Sequence, residues 1–164
     1  MIFHVGDHVV FPAHGAGVIR EVVEREVGGE LREYFRIDFV RGDMVVLVPL
    51  GKGNQVGLRK AIEASEVAQL HAALEAGDVP LPEGWQARSR LEREIMAEGY
   101  AHRVAALIGA LERRAMERGL AATETELLTE AKHRLAAEVV LALGLPWERA
   151  LPGLLSELLA GAVT

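Results

Sequence analysis

The sequence predicts an α+β protein: a small SH3-like or Tudor-like β-barrel over residues 1–63, followed by an all-α helical bundle over residues 64–164. Two observations carry this. Between Val5 and Pro49, apolar residues alternate in short runs separated by Gly- and Pro-containing turns, as in a meander of strands. From Ser65 onward the apolar residues recur at helical spacing. The change of character falls around Pro80-Leu81-Pro82-Glu83-Gly84-Trp85, where two prolines and a glycine stop one helix before Trp85 opens another.

In the first part, His8–Phe11 is a strand stopped by Pro12, and Gly15-Ala16-Gly17 marks a tight bend. Val18–Val27 is a long strand whose broken alternation implies a bulge near Glu21. Gly28-Gly29 is a hairpin turn, after which Phe35, Ile37 and Phe39 share one face and Tyr34, Arg36 and Asp38 the other. Arg41-Gly42-Asp43 turns the chain into Met44–Val48. This run lacks clean alternation, so it is either buried on both faces or an edge open to another protein. Four or five short strands in this length suggest a small barrel, and such barrels are mostly binding modules. The Arg-Gly-Asp triplet is read as that turn alone.

In the second part, Ser65 is expected to cap a helix running to Ala76, with Gly77 as its stop. The Trp85 helix reaches Glu98 before Gly99. A third runs from Tyr100 to Arg118, ended by Gly119. Thr123-Glu124-Thr125-Glu126 has the pattern of a capping box opening a fourth, closed by Gly144. Pro146 and Pro152 break the remainder into short helical pieces. The amphipathic stripes predict a compact bundle.

Composition narrows the function. Of 164 residues, half are apolar and 26% charged, with net charge −6 and a pI near 5.5. Such a chain does not coat nucleic acid by bulk electrostatics, so any DNA contact must be local or delivered by a partner. No apolar run is long enough to span a bilayer, and no signal peptide is visible at Met1–Asp7, so a soluble cytoplasmic protein without membrane association is expected. There is no cysteine, no nucleophile elbow, no phosphate-cradling loop and no dinucleotide fingerprint, and the six histidines are dispersed. Neither an enzyme nor a cofactor nor a metal site is expected.

Trp85 is conspicuous because aromatics make up only 5% of the chain. It stands at a helix start with Arg88, Arg90 and Arg93 in the next two turns. Core packing is the default reading of such a ring. The alternative is a wedge on a nucleic-acid surface, the cations holding phosphates and the ring contacting bases. Residues 85–134, which include Lys132, are near neutral inside an acidic region. A solvated helix face paired to neighbouring glutamates explains most of those cations equally well.

The segment Val5-Gly6-Asp7-His8-Val9-Val10-Phe11-Pro12-Ala13-His14-Gly15-Ala16-Gly17-Val18 resembles the opening signature of the CarD/CdnL family of bacterial transcription regulators. Val56-Gly57-Leu58-Arg59 is similar to that family's barrel exit. Trp85 lies where its DNA-contacting tryptophan is expected, and Glu117-Arg118-Gly119-Leu120 with Leu128, Ala131, Leu135 and Glu138 resembles its helical signature. The resemblance is collinear from Met1 to about Ala142.

The resemblance implies that residues 1–63 bind the RNA polymerase β subunit, as in the similar module of the transcription-repair coupling factor. It implies that residues 64–164 contact promoter DNA weakly in the minor groove, at the upstream edge of the open bubble. There Trp85 would act as a wedge that slows bubble collapse. It places Arg25 at a basic polymerase contact. Leu47 stands where a second basic residue is frequent, which favours an apolar or main-chain contact by Val46, Leu47 and Val48. Arg88 keeps a family position, Arg90 is displaced from one, and Thr125 replaces a lysine found in some members. Arg93 and Lys132 complete the expected DNA-facing set. The protein is expected to act as a monomer, held at the nucleoid through polymerase. A pure protein-interaction adaptor with a buried Trp85 is the competing reading, and a ligand-binding module or enzyme the third.

Overall fold

The computed structural model describes residues 2–161, and the chain divides into two compact units, Met1–Ala61 and Ile62–Thr164. The first is a five-stranded antiparallel sheet of β1 (His8–Phe11), β2 (Gly15–Val27), β3 (Glu30–Phe39), β4 (Val45–Pro49) and β5 (Arg59–Lys60). The spatial order is β4-β3-β2-β1-β5. Phe35, Ile37 and Phe39 point inward as their alternation requires, packing with Phe3, Val9, Ile19, Val48 and Leu58. Each such side chain contributes roughly 1.5–3 kcal/mol of burial.

The expected bulge is present: the β2–β3 register slips between Ile19 and Glu21. An extra residue there bends a long strand so that its first half covers the core while its second half runs out with β3 as an exposed ribbon. Gly28 and Gly29 both have positive φ, 60° and 83°, the conformation a two-residue hairpin needs to match strand twist. The expected bend at Gly15–Gly17 is not where the chain turns. Pro12–His14 makes the turn, closed by the His14 amide donating to the Phe11 carbonyl at 2.8 Å, and Gly15-Ala16-Gly17 already belongs to β2. Gly17 serves packing instead: a β-carbon there would lie 2.6 Å from the Asp38 carbonyl oxygen.

The second unit is helical: α1 (Val67–Ala76), α2 (Trp85–Glu98), α3 (Ala101–Glu117), α4 (Ala122–Leu143) and α5 (Leu155–Gly161). Gly77, Gly99 and Gly144 end α1, α2 and α4 in left-handed conformations, as their positions predict. Two caps differ from expectation. Ser65 sits inside a short 3₁₀ turn before α1, and Glu66 accepts the Glu63 amide at 2.9 Å. Thr123 does not cap α4, which begins earlier, so that Glu124 reaches back to the Ala121 amide at 3.3 Å. On α4, buried Glu138 accepts the Ile62 amide at 2.8 Å and ties the start of this unit to its longest helix.

α1 and α3 pack so closely that there is no room for a side chain between them. A β-carbon on Gly109 would collide with the Leu74 carbonyl oxygen, and one on Gly77 would lie 2.9 Å from the Ala110 amide nitrogen. Arg113 seals the junction by donating to the Ala76 carbonyl at 2.9 Å. Gly109→Ala should therefore destabilise the protein by about 1–3 kcal/mol in urea unfolding, despite alanine's better helix propensity. Gly153→Ala, at a position with open space around it, should be close to neutral by the same measurement.

Candidate functional site

In the first unit the candidate surface is the free edge of the sheet. Among the described residues β4 pairs only with β3. The Phe39 amide donates to the Met44 carbonyl and the Leu50 amide to the Glu33 carbonyl, which fixes the phase of the ladder. In an antiparallel pair the hydrogen-bonded positions alternate, so Val46 and Val48 turn their backbone groups to β3 while Val45 and Leu47 turn theirs to the edge. Pro49 ends this edge without an N–H to offer.

The side chains divide the same way. Val48 is 2% exposed and Val46 packs on the same core, so neither presents a side chain to a partner. Of the three residues expected to make an apolar or main-chain contact, only Leu47 turns both its side chain and its backbone groups outward. Leu47, opposite Arg36, and Val45, opposite Asp38, point to the outer face. Beside them runs a charge ladder, Arg20–Asp38 at 3.3 Å, Arg36–Asp38 at 3.3 Å and Arg36–Glu21 at 3.2 Å. Arg25 lies on the exposed ribbon opposite Arg32, its guanidinium donating to the Glu24 carbonyl at 2.8 Å.

In the second unit the candidate site is the start of α2. Gly84 is the N-cap, with no side-chain cap of its own. Trp85 is 44% exposed, so it is not an interior ring. The guanidinium carbon of Arg88 sits over the Trp85 ring, 5.4 Å from the centroid and within cation–π range. The pair follows from helical spacing, because residues three apart share a face.

Arg88 itself departs from expectation. It is 6% exposed and cannot grip a phosphate as an exposed arginine would. Its Nε donates to Glu124 Oε2 at 2.8 Å and its Nη2 to Glu124 Oε1 at 3.3 Å. Its Nη1 donates to the carbonyls of Glu83 at 2.9 Å and Pro82 at 3.3 Å. One planar fork thus ties the Pro-rich linker and the start of α2 to the start of α4. Arg118, at the end of α3, adds an ion pair to Glu83 at 2.6 Å.

Behind Arg88 stand two buried carboxyl groups. Glu124 is 2% exposed and Glu92 1%. Glu124 is held below the ordinary carboxylate range, because its hydrogen bonds from Arg88 and the Ala121 amide outweigh the effect of burial. Glu92 is pushed up to about 7, chiefly by burial and then by its hydrogen bond to Glu124 and that group's negative charge. Arg88 and Arg114 oppose the rise without cancelling it. Glu92 therefore keeps its proton to higher pH than an ordinary carboxyl group, and in that form it donates to Glu124, which stays ionised.

The remaining expected DNA contacts separate. Arg90 and Arg93 are exposed, and neither has a carboxylate partner among the described residues. Arg93, eight residues beyond Trp85, lies about 80° round the helix from it, whereas Arg90 is about 140° away. Lys132 is paired with Glu112 at 2.7 Å and is only partly exposed. The glutamates that organise the site carry no distinguishing signal in the sequence. Glu92 is one turn from Arg88 and Glu124 is at the start of a helix, but both patterns also fit a solvated surface.

The cluster has two consequences for stability. Removing one partner of a buried ion pair leaves the other uncompensated, so Glu124→Ala should cost about 3 kcal/mol in denaturant unfolding. Glu92 binds its proton more tightly folded than unfolded, so its contribution is fully present below about pH 4.5 and is lost as pH rises through about 7. The depressed group, Glu124, contributes above its unfolded range and loses that contribution as pH falls. Glu92→Gln should accordingly raise stability at about pH 8 by about 1–2 kcal/mol and flatten the slope between about pH 5 and 8.

The comparisons with known proteins agree with this architecture. Residues 3–62 match the model of the CarD-like/TRCF RID domain, and residues 69–154 match that of the CarD C-terminal domain. The chain is also similar to a Bacillus subtilis (strain 168) protein named "Putative transcription factor YdeB". The two are 25% identical over 138 residues, covering 84% of this chain and 90% of the relative. With the two family models together spanning most of both units in order, the chain belongs to the CarD family of transcription regulators.

Proposed function

We propose that this regulator binds the RNA polymerase β subunit through its sheet unit and stabilises the promoter open complex through its helical unit. On this reading the β4 edge and the outward side chains of Val45 and Leu47 meet polymerase, with Arg25 on the ribbon adding a charged contact. Strand addition suits an edge that offers main-chain groups at alternate positions beside apolar side chains.

The observation that carries the DNA part is the exposure of Trp85 at a helix start, its ring backed by a buried arginine. A fully buried indole would have left only the adaptor reading. A half-exposed, rigidly backed ring can enter a distorted base step, and Arg93 on the adjoining face supports it against the phosphates. The wedge stabilises melted DNA only by as much as it prefers it to duplex. A difference of about 1.4 kcal/mol shifts the populations tenfold. The net charge of −6 is compatible with this, because attachment to polymerase supplies the effective concentration that the DNA contact lacks.

Trp85→Ala should shorten open-complex lifetimes by about tenfold, a loss of about 1.4 kcal/mol, while leaving polymerase affinity unchanged. Unchanged lifetimes would exclude the wedge and favour the adaptor. Leu47→Glu and Arg25→Glu should each weaken polymerase binding in a pull-down or titration, and affinity equal to that of the native protein would remove the substituted residue from the interface.

A further inference from the structure

Four observations converge on the back of Trp85. The guanidinium of Arg88 is 5.4 Å from the ring centroid. That same group grips the Pro82 and Glu83 carbonyls, which lead into the helix that starts with Trp85. It is held in turn by a single carboxylate, Glu124, from another helix. And Glu92, one turn along α2 from Arg88, is 1% exposed with one oxygen, Oε2, lacking any hydrogen-bond partner among the described residues, and it feels the charges of both Glu124 and Arg88. Arg114 of α3 faces the same cluster, its Nε likewise buried and unpartnered.

We propose that Arg88 is a positioning residue for Trp85, and that the Glu92–Glu124 carboxyl pair behind it makes its grip depend on proton concentration. The inference deepens the wedge reading, since it concerns the presentation of the same ring.

The mechanism follows from charge counting in a dry site. With Glu92 protonated, the pair carries one negative charge. Glu124 accepts from Arg88, from the Ala121 amide and from Glu92, and four of the five N–H donors of Arg88 are engaged. When Glu92 ionises, two carboxylates repel at close range and compete for the same guanidinium. The charged groups facing the pair absorb little of the change. Arg88 is bound to Glu124, Glu83, held by Arg118, adds negative charge on the linker side, and Arg114, whose Nε is buried without a partner, offsets the rise in Glu92 only in part. The geometry that relieves the repulsion draws Arg88 toward Glu92, away from the ring and the linker carbonyls. Trp85 is then less firmly backed. Protonation near neutral pH is consistent with the raised affinity of Glu92 for its proton.

The test uses the full chain carrying Trp147→Phe, so that indole fluorescence reports Trp85 alone. Acrylamide quenching would be followed across a range from about pH 6 to about pH 8, over which a group titrating near 7 passes from mostly protonated to mostly ionised. The expected result is a rise of about twofold in the quenching constant with one midpoint, absent in Glu92→Gln, which keeps the hydrogen-bond donor but cannot ionise. Arg88→Lys, folded by circular dichroism, should show the higher quenching at every pH, because an ammonium with three donors lacks the planar fork that makes four hydrogen bonds here while backing the ring. If Arg88→Lys does not fold, Glu92→Gln alone carries the test.

A folded Arg88→Lys protein quenched like the native one would overturn the positioning role. Quenching that is flat in the native protein, or that still titrates in Glu92→Gln as a histidine would make it do, would overturn the role of the carboxyl pair. Open-complex lifetimes at about pH 8 should then be about twofold longer with Glu92→Gln than with the native protein, and equal or shorter lifetimes would argue against it. Loss of the wedge reading itself is seen separately, as lifetimes unaffected by Trp85→Ala while the quenching results stand.

Discussion

The helical unit depends on one buried ion pair, Arg88 with Glu124. Taking two charges out of water is costly, and an isolated pair in a protein interior commonly gains little net stability. This pair is different in what it organises. The guanidinium satisfies two backbone carbonyls of a proline-rich linker that has no strand or helix partner to accept from, as well as the carboxylate of Glu124. The carboxylate meanwhile satisfies an orphan amide at the start of α4. A single interaction meets the hydrogen-bond needs of two linker carbonyls and of one amide at a helix start, and it leaves a tryptophan standing on the surface beside it.

The barrel is organised by a different constraint, the mismatch between strand length and core size. β2 has 13 residues, more than the small core can cover. The bulge after Ile19 resolves this by ending the buried segment and letting the rest continue as a ribbon with β3. The same alternation that turns Val46 and Val48 inward leaves Val45 and Leu47 at the edge. Core and edge are consequences of one register.

Much of this fold is legible in the order of the residues. The hairpin at Gly28-Gly29, the bulge, the glycine stops and the limits of α2 all follow from local rules in which the residue itself dictates φ or ends a pattern. Where the local rules fail, the competing effect is tertiary. Gly17 has the surroundings of a turn glycine because its neighbours are small, but it is small because the Asp38 carbonyl lies against it. Gly109 is inconspicuous within a helical run, yet it is what lets α1 and α3 touch backbone to backbone.

Of the site, the sequence alone determined the tryptophan, its place at a helix start and its arginine-rich surroundings, because spacing along one helix is a local property. It also determined the order of the two units and, by charge, that any DNA contact must be local or delivered by a partner. Only the tertiary structure decided what each cation does. Arg88, Arg93 and Lys132 read alike in a string of letters. They differ because Glu124, 36 residues away, reaches Arg88, and Glu112 on α3 reaches Lys132, while Arg93 meets no carboxylate among the described residues. Burial and partnership are set by which helices pack together, and that is the information a one-dimensional pattern does not contain.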